Sequence, residues 1–152
     1  PKNENILLCN NIWSDPTGSM GSMGKDDPNE FADGDPSYSL NLVLKNNLYW
    51  NGGEKIPKGD LINPLTDDPD RIIANPGLDT DFSDLILPVW NGISFTDGHN
   101  QIREEFLSIA RKYGALPEYS PAFRTGQASC SPIEDIFRLF RGPFPSIGAE
   151  QN

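Results

Sequence analysis

The sequence predicts an all-β solenoid, with short strands stacked as coils, one α-helix over an end and an irregular Pro- and Gly-rich tail. Three observations lead there. The first is a repeat. Ile6-Leu7-Leu8-Cys9-Asn10-Asn11-Ile12-Trp13 returns as Leu42-Val43-Leu44-Lys45-Asn46-Asn47-Leu48-Tyr49. Each copy runs from an apolar stretch into an Asn-Asn pair, an aliphatic residue and an aromatic one, at one constant offset. Repeats of a few tens of residues mark units that bury their apolar faces only by stacking. Asn suits the corners, because it tolerates left-handed backbone and its amide can bond the Asn of the next unit. The alternative is two unrelated buried strands that each end in an Asn-rich turn. The second observation is composition. With 14 Gly, 14 Pro and a hydrophobic fraction of 36%, the chain describes a loop-rich β protein rather than a helical bundle. The third is that only residues 100–113 carry a convincing helical stripe.

Residues 4–13 and 40–50 read as the two strand-and-corner units. In the second, Leu40, Leu42 and Leu44 alternate with Ser39, Asn41 and Val43, so one face is more buried. Between them, Ser14 to Ser39 make a long excursion rich in Gly, Ser, Asp and Pro. A loop of that length is functional or disordered. Its Asp26, Asp27, Asp33 and Asp35 are candidate calcium ligands, since calcium takes oxygen donors. Their spacing lacks the EF-hand pattern, and a solvated loop is the plain alternative. Asn51-Gly52-Gly53 turns the chain.

Pro57, Pro64, Pro69 and Pro76 keep most of residues 54–81 out of central strands. Ile72-Ile73-Ala74 remains as a short strand, followed by a turn at Asn75-Pro76-Gly77. Leu85-Ile86-Leu87 and Val89-Trp90 form a further apolar run, broken by Pro88. In the helix, Ile102, Phe106, Ile109 and Tyr113 share a stripe, Asp97 or Asn100 can cap the start, and Gly114 suits the end. Glu104 and Glu105 early and Arg111 and Lys112 late complement the helix dipole. The helix is expected to cap the coils, with truncation of a buried Phe106 costing about 3–5 kcal/mol. Residues 117–152 read as irregular, with a helical turn near 133–140 that turns Ile136, Phe137 and Phe140 inward.

Several stretches carry a family resemblance. Asn10 to Gly18 and Asn46 to Gly53 resemble the last coils of right-handed parallel β-helix proteins with a pectin-lyase-like fold. Ser120-Pro121-Ala122-Phe123 resembles that family's Ser-Pro-Ala-Ile segment. Ser131 to Ile136, followed by Arg141-Gly142, resembles its Asp-Ile-x-Gly-x-x-Arg region. Pro145 to Glu150 resembles its closing Asp-Ile-Gly-Ala-Tyr-Glu, with Ser146 where the family has Asp and Gln151 after Ala149-Glu150. The resemblance implies the terminal coils of such a helix, in relatives that cleave or bind polysaccharides. Their reacting groups lie on central coils, so no catalytic residue carries over.

The formal net charge of -10 argues against nucleic acid and against an anionic membrane, both of which need a basic face. It also disfavours polyuronates unless calcium bridges the like charges. No stretch approaches a membrane span. Cys9 and Cys130 would join the first coil to the tail if paired, but Cys9 suits a buried thiol equally well. His99 is the only histidine and has no nucleophile paired with it by motif, which favours a surface or capping role over catalysis. No phosphate loop, zinc spacing, dinucleotide fingerprint or Gly-x-Ser-x-Gly is present. Trp13, Trp50 and Trp90 are candidate sugar platforms, although aromatics in a solenoid more often fill the core.

The expectation is one domain over 1–152: coils with long loops at 1–96, the helix at 97–114 and the tail at 115–152, as a fragment of a longer chain. No signal peptide is visible, and Pro1 does not read as a translation start. The expected function is a non-catalytic, extracellular or cell-surface, carbohydrate-associated region that binds or scaffolds. It needs no cofactor, with calcium as the one candidate ion. The alternatives are part of a polysaccharide lyase or glycoside hydrolase with its site upstream, and a structural subunit of a surface assembly. The N-terminal strand edge is expected to meet upstream coils or another chain, unless the loop 14–39 folds over it.

Overall fold

The computed structural model describes residues 3–21, 39–59 and 62–151. The repeat pairs with itself. β1 (Asn3–Glu4), β2 (Leu7–Cys9) and β3 (Ile12–Asp15) lie parallel to β4 (Ser39–Leu40), β5 (Val43–Lys45) and β6 (Leu48–Asn51) in turn. The register matches the two copies residue for residue: Leu8 opposite Leu44, Ile12 opposite Leu48, Trp13 opposite Tyr49. Among the described residues a third layer exists only at β7 (Ile72–Ile73), which pairs with Leu48 and Tyr49.

This overturns the solenoid. Strands of two to four residues form three small parallel sheets, two of them two-stranded, and no closed or solenoid sheet exists among the described residues. The chain is mixed α/β, not the end of a right-handed parallel β-helix. The physical reason lies before β7. Parallel third strands for β4 and β5 would have to precede Ile72, and there Pro64, a helical turn over 64–67 and Pro69 leave no strand.

The corners behave as Asn corners should. Asn5, Asn10, Asn41 and Asn46 all hold left-handed backbone, with φ between 53° and 59°. The Asn41 Nδ2 donates to Asn5 Oδ1 at 2.9 Å, and Asn46 Nδ2 to Asn10 Oδ1 at 2.8 Å, each across 36 residues. Both the backbone N–H and Nδ2 of Asn11 donate to Asn47 Oδ1 at 2.9 Å. A side-chain amide has one acceptor oxygen and two donor hydrogens, so identical Asn residues in register satisfy each other.

β6 separates two buried faces. On one, Leu48 packs with Leu116, Ala122 and Ile147 of the tail, with Ile12, Trp50 and Leu78 partly buried around them. On the other, Tyr49 is fully buried and donates its hydroxyl to Asp68 Oδ2 at 3.2 Å. Asp68 is itself fully buried. It also accepts the backbone N–H groups of Asn46 and Asn47 and the Asn47 Nδ2, at 2.8–2.9 Å. Burial, then the neighbouring Asp68 charge, raises the Tyr49 pKa above its usual value, so its phenol stays a donor. Asp68 is delivered by α1 (Pro64–Asp67), whose start has Asn63 accepting from Leu65 N and Pro at the first position.

The tail folds back onto the first corner. Asn10 Nδ2 donates to Gln127 O and Ser131 Oγ, Asn10 Oδ1 accepts from Gln127 N, and Asn10 O accepts from Gly148 N. A disulfide joins Cys9 to Cys130 across 121 residues. Arg141, buried, donates to the carbonyls of Ser146, Gly148 and Ala149. Gly126 allows the close approach, because a Cβ there would lie 2.8 Å from the Pro145 carbonyl oxygen.

Two further expectations are corrected. α2 (Ile102–Tyr113) is the helix expected at 100–113 and ends at Gly114, whose N–H donates to Ala110 O. Its start, however, is Gln101, with no side-chain cap from Asp97 or Asn100. The residue it buries is Glu105, while Phe106 is 58% exposed and Ile102 51%. The helix is therefore not a hydrophobic cap, and truncating Phe106 belongs in the surface range of about half a kcal/mol. Residues 133–140 are not helical. Glu134 and Phe140 form an antiparallel bridge, and Asp135 Oδ1 accepts from the N–H groups of Phe137 and Leu139 at 2.8 Å. Ile136 and Phe140 are exposed rather than inward.

Candidate functional site

Along β3 and β6 successive side chains alternate between faces. Trp13 pairs with Tyr49, and Trp50 with Ser14, so the two tryptophans fall on opposite faces of their sheet. Trp50 packs one side against the Leu48 cluster. Its other surroundings form a depression of about 310 Å³ shared with Tyr119, Ser14, Asn75, Thr80 and Gly77. Asn51-Gly52-Gly53 shapes one rim. Gly52 holds φ of 57°, and a Cβ there would meet Gly18 N at 2.7 Å, so the turn admits only glycine. Asn75-Pro76-Gly77 shapes the opposite rim, with Gly77 N donating to Asn75 Oδ1 at 2.8 Å and φ of 72° at Gly77. Tyr119 stands over this rim, 82% exposed, with its ring atoms 3.1 Å from where a Gly77 Cβ would lie. Among the described residues the lining contains hydroxyl, amide and aromatic groups and no Asp, Glu, Lys, Arg or His.

The sequence-predicted platforms do not come together. Trp50 lines the depression. Trp13 is half-buried, with its indole N–H buried and unpartnered among the described residues. Trp90 lies elsewhere, 48% exposed and edge-on to Phe95 with centroids 5.0 Å apart. Asp26, Asp27, Asp33 and Asp35 lie outside the described residues. Tyr119 was missed by the sequence reading, because Pro117-Glu118-Tyr119 sits in the irregular tail and nothing in its spacing ties it to Gly77.

A second cluster surrounds the only histidine. The turn at Phe95–His99 is closed by Phe95 N donating to His99 O at 2.8 Å, and by Gly98 with φ of 97°. This places Asp97 and His99 beside Glu105 in the first turn of α2. His99 Nδ1 lies 2.9 Å from Glu105 Oε1 and 3.0 Å from Asp97 Oδ2. Burial holds the Glu105 carboxyl above its usual pKa, while the hydrogen bond with Glu105 draws Asp97 down. His99 is raised, chiefly by its hydrogen bond to Glu105. Asp97 and Glu105 also line a cavity of about 390 Å³ whose walls include Leu85, Leu87, Val89 and Ile109.

No protein-family model matches the chain, and no curated protein matches it either. Among the described residues no helix is long and apolar enough to cross a membrane. The disulfide is weakly compatible with an oxidising, extracellular setting.

Proposed function

We propose that this chain is a non-catalytic, glycan-binding region of an extracellular or cell-surface protein. The observation that carries the reading is the depression where Trp50 and Tyr119 meet among hydroxyl and amide groups. Sugar rings present apolar C–H faces and a rim of hydroxyls, which suit aromatic planes flanked by neutral hydrogen-bonding side chains. Glycoside cleavage by the usual route needs two carboxyl groups facing the bond. The lining of this depression has none, which favours binding over cleavage there, and favours a neutral glycan over a uronate or an amino sugar. The Cys9–Cys130 bridge supports a place outside the cytoplasm.

A scaffolding role in a surface assembly is favoured by one separate observation. Leu7 and Val43, opposite each other in register, are 52% and 49% exposed. An exposed apolar pair on a small two-stranded sheet suits a protein partner.

A glycan array followed by calorimetry tests the binding reading. The chain should take a neutral oligosaccharide, and Tyr119→Ala should weaken it about tenfold, the worth of roughly 1.4 kcal/mol from one stacked ring. Tyr119 is exposed enough for the melting temperature to stay put. An array without a single neutral hit, or a hit that Tyr119→Ala leaves at full affinity, would refute it.

A further inference from the structure

We propose that Asp97, His99 and Glu105 form a binding site for a divalent first-row transition ion, with Zn²⁺ the best match. This site stands apart from the Trp50–Tyr119 depression and does not depend on it. Three donor atoms, one nitrogen and two oxygens, lie within 4.8 Å of one another. They come from two independent pieces of backbone, the Phe95–His99 turn and the first turn of α2.

The spacing is close to that of ligands around a common ion. Donors at about 2.1 Å from a metal lie about 3.0 Å apart at right angles and about 3.4 Å apart in the tetrahedron zinc prefers. His99 Nδ1 lies 2.9 Å and 3.0 Å from the two carboxylate oxygens. Nδ1 carries at most one hydrogen, which cannot serve both carboxylates at once. Glu105 is only 6% exposed, so its charge is costly without a counter-charge. A dication would answer both carboxylates at once. Imidazole nitrogen selects zinc and its neighbours over calcium and magnesium, which prefer all-oxygen shells.

The surroundings fit an ion with coordination positions left over. Three protein ligands are the number seen where zinc keeps an open position. Asp97 and Glu105 both form part of the wall of the 390 Å³ cavity, which Leu85, Leu87, Val89 and Ile109 also line. The Tyr113 hydroxyl in that wall is buried, with the Lys112 ammonium 5.0 Å from the ring centroid. A small ligand on the ion would occupy this cavity.

Calorimetric titration of the full chain with ZnCl₂, repeated with Co²⁺ followed by visible absorption, tests the site. A single Zn²⁺ should bind per chain, with Co²⁺ giving ligand-field bands. His99→Ala and Asp97→Asn should each weaken binding by roughly tenfold or more. Asp97 is 47% exposed, so Asp97→Asn leaves the fold in place and its result stands whatever the buried Glu105→Gln does to stability. Absence of Zn²⁺ binding at micromolar concentration would overturn the proposal. So would affinity unchanged in both variants, or displacement of Zn²⁺ by millimolar Ca²⁺, which would mark an ordinary acidic surface.

Discussion

Asp68→Ala is expected to lower the unfolding free energy by about 3–5 kcal/mol, about a fifth or more of what a domain ordinarily has. The carboxylate is fully buried and accepts four hydrogen bonds: two backbone N–H groups, the Asn47 amide and the Tyr49 hydroxyl. Alanine would leave all four donors without water or protein to bond them. Each bond to a charged group contributes about 1.5–3 kcal/mol, and the total falls short of the sum because the site would partly relax. Asp68→Asn is expected to be nearly as harmful, since its NH₂ would point donors at donors. Urea denaturation of the three proteins measures this. A loss under about 1 kcal/mol for Asp68→Ala would mean that the four bonds do not hold the corner together.

Cleaving the Cys9–Cys130 disulfide is the second large effect. The bridge closes a loop of 121 residues, from β2 to the 3₁₀ turn at Ala128–Cys130. Chain-entropy reasoning assigns such a loop about 4–5 kcal/mol, and measured losses run about 2–5 kcal/mol. Either reduction or Cys130→Ser should therefore lower the melting temperature by roughly 6 to 15 degrees, given that about 1 kcal/mol moves a domain of this length by roughly 3 degrees. The tail should loosen first, because what then ties it to the repeat is the bonding at Asn10 and Asn46 and the packing of Leu116, Ala122 and Ile147 on Leu48. A reduced protein that melts with the oxidised one would contradict this.

The repeat was the most legible part of the sequence. Its offset set the register of three strand pairs, and its Asn residues marked left-handed corners, because no other side chain combines that backbone with a self-complementary amide. What the repeat could not reveal was how many layers follow. Two copies look alike whether they begin a long stack or a pair of short sheets, and the third layer here is only Ile72–Ile73. The helix was legible in extent but not in orientation. Its apolar stripe promised a buried Phe106, yet the buried residue is Glu105, chosen by contacts with Asp97 and His99 that local periodicity does not encode. Asp68 was illegible. Asp67-Asp68-Pro69-Asp70 reads as a solvated acidic loop, and only the three-dimensional path carries one of those carboxylates under the Asn46-Asn47 corner. Of the residues lining the depression, the sequence singled out Trp50 and not Tyr119, because their nearness joins β6 to the tail, which local spacing does not encode.

That union of repeat and tail is tested most directly by amide hydrogen exchange on the oxidised protein. The N–H groups of Asn46 and Asn47 bond the Asp68 carboxylate, and those of Gln127 and Gly148 bond Asn10. If one cooperative body holds both, all four amides should be strongly protected and should exchange with the same opening free energy, equal to that of global unfolding. Gln127 and Gly148 exchanging at free-peptide rates while Asn46 and Asn47 stay protected would show a tail detached from the corner it is described as covering.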